Sequence, residues 1–211
     1  MKLYEIYSSI QGETHLAGRL CTLVRFAACD LRCRYCDTEY AFVGGEEVSR
    51  EAILADVRAR GTKLVLLTGG EPLLQPELPA LASDLISAGF EVMIETGGHR
   101  DTSPLPKEVV VILDVKTPGS GESEKNLDSN LSRLQAQDAV KFVVCSEADY
   151  RWAKQQIAEH RLLERCNVLM APSFDKLEPS TLVEWMVRDK LEARLNLQLH
   201  KYVWPAEMRG V

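Results

Sequence analysis

Short runs of apolar, β-branched residues punctuate the chain at 21–26, 63–67, 90–94, 109–113, 140–144, 167–170 and 195–199, and each predicts a strand. Two of them, Leu64-Val65-Leu66-Leu67 and Val109-Val110-Val111-Ile112-Leu113, are apolar throughout instead of alternating. That suits parallel strands covered on both faces. Helical periods fill many of the gaps. Residues 49–60 set Ile53, Leu54 and Val57 on one side and stop at Gly61; residues 76–88 align Leu78, Leu81, Leu85 and Ile86 and stop at Gly89. Ser146-Glu147-Ala148-Asp149 has the form of a capping box opening a helix to about His160, and Pro179 or Ser180 opens another to about Lys190. Alternating strands and helices predict right-handed βαβ units, in an open doubly wound sheet or in a complete or partial barrel. The segment 117–125, with two glycines, two serines and three charges, reads as an exposed loop.

At 211 residues the chain can bury one good core, so a single domain over 1–211 is expected. A composition of 45% hydrophobic and 27% charged residues is that of a globular protein. The net charge of −6, with no Lys/Arg block, argues against a broad electrostatic hold on nucleic acid and for a small ligand. No run approaches the roughly 18 apolar residues of a membrane span, and Met1 to Glu5 do not begin a signal peptide, so a cytoplasmic protein is expected. Six cysteines in such a compartment do not imply disulfides. Cys21, Cys145 and Cys166 lie in or beside apolar runs, as small buried hydrophobes do.

The other three cysteines stand together. Cys29-Asp30-Leu31-Arg32-Cys33-Arg34-Tyr35-Cys36 follows the first apolar strand and presents three thiols in one loop. Thiolates suit iron–sulfur clusters and zinc, and a cubane held by three cysteines leaves one iron open to an outside ligand. The alternative is a Cys3His zinc site completed by His15, His99 or His200. The spacing C-x3-C-x-aromatic-C, with Tyr35 before the last ligand, resembles the signature of the radical S-adenosylmethionine (SAM) superfamily. The resemblance implies a [4Fe–4S] cluster on Cys29, Cys33 and Cys36, chelation of its open iron by SAM, and one-electron cleavage of SAM to a 5′-deoxyadenosyl radical. It also implies a partial (β/α) barrel of mostly parallel strands.

A second motif follows one βα unit later. Paired glycines let a backbone turn sharply and approach a ligand closely. Thr68-Gly69-Gly70-Glu71-Pro72 resembles the Gly-Gly-Glu motif that contacts the SAM amino group, which implies that role for Gly69, Gly70 and Glu71. Ligands of α/β proteins gather at the carboxyl ends of strands. Glu95, the segment Asp114-Val115-Lys116 and the looser match Ala171-Pro172-Ser173-Phe174 are therefore candidate SAM contacts, with helix caps and ion pairs as the alternative.

Ser9-Ile10-Gln11-Gly12-Glu13, Val24-Arg25-Phe26-Ala27-Ala28-Cys29, Cys36-Asp37-Thr38 and Leu199-His200-Lys201-Tyr202 resemble the 7-carboxy-7-deazaguanine synthase family over nearly the whole chain. The resemblance implies conversion of 6-carboxy-5,6,7,8-tetrahydropterin to 7-carboxy-7-deazaguanine with loss of ammonia, a step toward queuosine. SAM is then regenerated in each turnover and Mg2+ assists. It implies pterin contacts from Ile10, Gln11, Gly12, Glu13, Thr68, His200 and the carboxylate of Val211, and a magnesium ligand in Thr38. Gln11 offers donor and acceptor together, and Arg25 can fork onto the pterin carboxylate or onto a structural one. A flavodoxin-like or ferredoxin-like electron donor and a homodimer are further implications. The sequence departs from the family where glycine often follows the Gln-Gly-Glu triplet: here the residue is Thr14. The competing functions are a glycyl-radical activase and a non-catalytic zinc module.

Overall fold

The apolar runs pair into one sheet. The computed structural model describes residues 1–211, and its strands are β1 (Lys2–Ile10), β2 (Leu20–Phe26), β3 (Glu46–Glu47), β4 (Leu64–Gly69), β5 (Glu91–Thr96), β6 (Val110–Val115), β7 (Ala139–Val144), β8 (Asn167–Pro172) and β9 (Arg194–Leu195). Their order is β3-β1-β2-β4-β5-β6-β7-β8-β9. Every pair from β2 to β9 is parallel, and only β1 with β2 and β1 with β3 are antiparallel.

From β4 onward the order in space follows the order in sequence, so each crossover steps the same way. Right-handed crossovers then place their helices on one face, whereas a doubly wound sheet reverses direction at a switch point. The uncovered face curls inward, and because β3 and β9 remain edges the result is the expected partial barrel.

The helices are α1 (Arg50–Arg60), α2 (Leu78–Ser87), α3 (Asp128–Leu131), α4 (Glu147–Glu159), α5 (Pro179–Arg188) and α6 (His200–Val203). Ser49 caps α1 by accepting from the Ala52 N–H, and Ser146 caps α4 by accepting from the Asp149 N–H, as the sequence signals require. A core of 29 residues lies between the helices and the outer face of the sheet. A smaller plug, Cys21, Leu64, Leu66, Met93, Ile112, Ala139 and Leu169, fills the lower part of the inner face. No helix is long and apolar enough to cross a membrane.

Three expectations are corrected. The strand expected at 195–199 is only Arg194–Leu195, because Asn196 and Gln198 turn their side chains to the loop after β1. β1 is a full strand that the apolar pattern did not mark, since none of its residues is fully buried. The segment 117–125 is not a free surface loop. It forms two short 3-10 turns with Thr117 and Ser120 buried; the Ser120 carbonyl accepts from the Arg34 N–H at 3.0 Å and Glu122 from the Arg32 N–H at 2.6 Å. Its task is to brace the cysteine loop.

Candidate active site

Strand periodicity builds the site. On β2, β4, β5, β6 and β7 an apolar residue in or against the plug is followed two positions later by a polar one: Leu23 by Arg25, Leu66 by Thr68, Met93 by Glu95, Ile112 by Asp114, Ala139 by Lys141. The apolar plug therefore floors a polar cavity at the carboxyl ends of the strands. Its volume is about 890 Å3, and all five polar residues line it.

The cysteine loop closes one side. Ala28 enters it with φ 78°, and the Glu71 N–H donates to the Ala28 carbonyl at 2.9 Å. A Cβ on Gly70 would fall 2.7 Å from the Cys29 Cβ and closer still to the Ala28 carbonyl, so only glycine lets the β4 end pack on this loop. Cys29, Cys33 and Cys36 are half-buried, unpaired, and all line the cavity. Burial pushes all three thiols up, that of Cys36 to about 11. A cubane spreads its thiolates over separate corners, and three cavity-lining thiols on one loop suit that donor set.

Beside the cysteines, Gly69, Gly70, Glu95, Asp114, Lys116 and the segment from Ala171 to Phe174 line the cavity. Asp114 pairs with Lys116 at 3.0 Å; burial alone would raise its carboxyl, but the Lys116 and Lys141 charges hold it below the usual range. Asp114 Oδ1 and the Tyr35 hydroxyl are buried without a protein partner, and both residues line the cavity. Two candidate SAM residues point elsewhere. Val115 belongs to the outer core, as alternation with Asp114 demands. Glu71 is fully buried outside the cavity lining, and its carboxylate accepts from Thr96 Oγ1, the Gly97 N–H and the Leu73 N–H at 2.8 to 2.9 Å. It braces the ends of β4 and β5 through hydrogen bonds of its own.

The far side gathers the remaining candidates. Ile10, Gln11, Gly12, Glu13, Arg25, Thr38, Thr68, His200 and Val211 all line the same cavity although they span the whole sequence. Gln11 is engaged in a turn: its Oε1 accepts from the Glu13 N–H at 2.7 Å, and its Nε2 meets only the weak acceptor Met93 Sδ at 3.3 Å. Arg25, which lines the cavity, gives Nε to Glu5 at 2.7 Å and Nη2 to the Tyr7 hydroxyl at 3.4 Å, leaving Nη1 without a protein partner. Burial opposes its charge, yet Tyr40, Tyr7 and Glu5 more than offset that. His200 packs on Gly12, where a Cβ would come within 3.2 Å of its Cγ. Thr38 donates to Asp37 at 3.0 Å.

The sequence reading missed Lys141 and the residues that clamp the carboxyl-terminal segment. Asp37 accepts from Gln198 and Lys201, Gly12 O accepts from the Leu199 N–H, and the Thr14 N–H donates to Asn196. A signal existed for Lys141: like Arg25, it is one charge inside an apolar strand run, Val140-Lys141-Phe142.

The description "Radical SAM superfamily" matches residues 23–115. Across its full length the chain is 40% identical to the 7-carboxy-7-deazaguanine synthase of Koribacter versatilis, which it also covers completely. It is 44% identical to the enzyme of that name from Chlorobaculum tepidum, with 100% of this chain and 97% of that one aligned. The chain belongs to the 7-carboxy-7-deazaguanine synthase family. In fold it resembles the crystal structure of QueE from Escherichia coli, with a TM-score of 0.77, 21% identity and 93% of each chain covered. The crystal structure of Streptococcus suis SuiB bound to S-adenosylmethionine gives a TM-score of 0.59 at 15% identity, over 87% of this chain and 54% of that one. Family membership carries with it a radical SAM lyase that uses a [4Fe–4S] cluster and SAM on a small-molecule substrate.

Proposed function

We propose that this chain converts 6-carboxy-5,6,7,8-tetrahydropterin to 7-carboxy-7-deazaguanine with release of ammonia, as a cytoplasmic single-domain enzyme. The supporting observation is the meeting of the three cysteines, the Gln11-Gly12-Glu13 loop and His200 around one cavity. Cys29, Cys33 and Cys36 would hold the cluster, and cluster and SAM together supply the hydrogen-abstracting radical.

The protein's own part is binding and orientation. Gly69, Gly70, Glu95, Asp114, Lys116 and the segment Ala171 to Phe174 would line the SAM side. Arg25 would offer Nη1 to the pterin carboxylate while Glu5 keeps its fork fixed. Backbone groups of Ile10, Gly12 and Glu13, with the Thr68 hydroxyl, the His200 imidazole and the Val211 carboxylate, would meet the pterin edge. Thr38 would supply a hard oxygen for Mg2+ while its hydroxyl proton stays hydrogen-bonded to Asp37. Glu71 and Val115 would act behind the wall. A flavodoxin-like or ferredoxin-like carrier would supply the electron, and the chain would work as a homodimer.

The test is an anaerobic assay of the reconstituted protein with SAM, reductant and 6-carboxytetrahydropterin, with and without Mg2+. Many equivalents of 7-carboxy-7-deazaguanine per SAM establish the reaction. SAM cleavage without that product would discard the substrate.

A further inference from the structure

Lys141 has no part in the functions assigned so far, yet it is among the most enclosed charges in the cavity, 5% exposed. It stands on β7 between Val140 and Phe142, which are fully buried on the opposite face. An ammonium removed from water there costs several kcal/mol unless it is paired. Its Nζ donates to Glu13 Oε2 at 3.0 Å and to Glu95, and lies 3.5 Å from Asp114 Oδ2. An ammonium has three donors. Three carboxylates therefore occupy it, and Lys141 acts through the groups it holds. Burial by itself would lower its pKa, but Glu13, Glu95 and Asp114 raise it well above the ordinary lysine value. It stays a cation and is no acid–base group.

The three carboxylates come from separate parts of the fold. Glu13 belongs to the loop after β1, on the pterin side; Glu95 and Asp114 lie on β5 and β6, on the SAM side. Glu13 is gripped from the opposite direction as well, by Gln198 Nε2 at 3.1 Å and Asn196 Nδ2 at 3.4 Å. We propose that Lys141 is a positioning residue that ties the pterin-side carboxylate Glu13 to the SAM-side carboxylates Glu95 and Asp114, fixing the two ligands relative to each other. This rests on the site reading above. Without the cation the carboxylates repel, and Glu13, alone among them in a loop, is the one able to swing away. The loss should fall on the pterin.

The test compares reconstituted wild type with K141M and K141R. Binding of 6-carboxypterin, an unreactive oxidised relative of the substrate, is read by its fluorescence, alongside SAM binding, KM, kcat and melting temperature. In K141M the affinity for 6-carboxypterin falls and KM rises, each about tenfold, the lower end of what losing an outer partner costs a ligand-contacting group. SAM affinity changes little, the melting temperature falls because buried carboxylates lose their cation, and the acid limb of kcat/KM moves to higher pH because Glu95, already raised by burial, loses its nearest cation. K141R restores a positive charge and recovers part of the pterin affinity. Should K141M fail to fold, K141M/E95Q removes a carboxylate with the cation and carries the same measurement. An active wild type with unchanged pterin affinity in K141M overturns the proposal alone, as does a parallel fall of pterin and SAM binding. A wild type that neither binds pterin nor forms product overturns the reading beneath it.

Discussion

Lys201 Nζ lies 3.0 Å from Asp37 Oδ2, an ion pair that closes 164 residues of sequence. Asp37 follows the last cysteine of the loop and Lys201 follows His200. Gln198 Nε2 reaches the same oxygen at 2.8 Å. The carboxylate thus pins the carboxyl-terminal segment to the cysteine loop.

Asp37 is about half exposed, which screens the pair although the Lys201 side chain is largely covered, and such a pair contributes about 1 kcal/mol to stability. Its value is positional. Asp37→Ala should therefore leave the melting temperature within a few degrees, speed amide exchange over residues 198–204, and raise KM for the pterin about tenfold with a smaller change in kcat. Amide exchange that matches wild type in that segment would show that the pair holds nothing in place.

Thr14 occupies the position where the family often has glycine, and its φ of 68° explains the preference. A β-branched residue in the left-handed region is strained by about 1–2 kcal/mol. Its backbone N–H donates to Asn196 and its hydroxyl accepts from the Leu16 N–H, so the strain is held by partners on both sides. Asparagine tolerates this conformation and its side-chain oxygen can replace the hydroxyl. Thr14→Asn should gain about 1 kcal/mol, or about 2–4 °C in melting temperature, and Thr14→Val should lose stability. Equal melting temperatures for all three proteins would refute the strain argument.

Most of this could be foreseen from the chain, for identifiable reasons. Continuous apolar runs mark β4 and β6 because both faces are covered, and Ser49 and Ser146 mark helix starts because their hydroxyls have N–H groups to satisfy. Local loop chemistry likewise exposed the cysteine cluster. What escaped depends on distance in sequence. Glu71 looks like a ligand residue until Thr96 and Gly97 arrive from the next strand to consume its oxygens, and the segment 117–125 looks idle until Arg32 and Arg34 dock on it. Asn196 and Gln198 read as strand residues because their partner, Glu13, lies at the other end of the chain.

Acid should loosen the carboxyl-terminal segment. Burial lowers the His200 pKa, with Lys201 and Arg25 acting in the same sense and Glu13 and Asp37 against it. The folded form therefore binds fewer protons than the unfolded one. Its contribution is complete above the ordinary imidazole value near 6.5 and is lost as pH falls below that through the folded value. Protection of the amides of residues 198–204, taken relative to their intrinsic exchange rate at each pH, should fall below about pH 6.5 in wild type, and this acid-induced step should be absent in His200→Gln. A step that survives in His200→Gln belongs to another group.

The buried Glu71 separates two meanings of its motif. If its carboxylate held SAM, Glu71→Gln would leave the SAM-free protein as stable as wild type and weaken SAM binding. The hydrogen bonds require otherwise. Oε1 accepts from the Leu73 N–H and Oε2 from the Gly97 N–H, with Thr96 Oγ1 shared between them. A glutamine has one acceptor oxygen and an NH2, so in either orientation a backbone N–H is left facing donors. One buried donor without its acceptor costs about 1–3 kcal/mol, and the bonds lost here are charge-assisted. Glu71→Gln should lower the melting temperature of cluster-free, SAM-free protein by about 4 °C or more. Thr96→Val, which removes only the shared hydroxyl, should show a smaller loss of the same kind. Because Glu71 N–H also donates to the Ala28 carbonyl at the mouth of the cysteine loop, iron retention should decline in the order of the stability losses. Unchanged melting in Glu71→Gln together with weakened SAM binding would return Glu71 to the ligand.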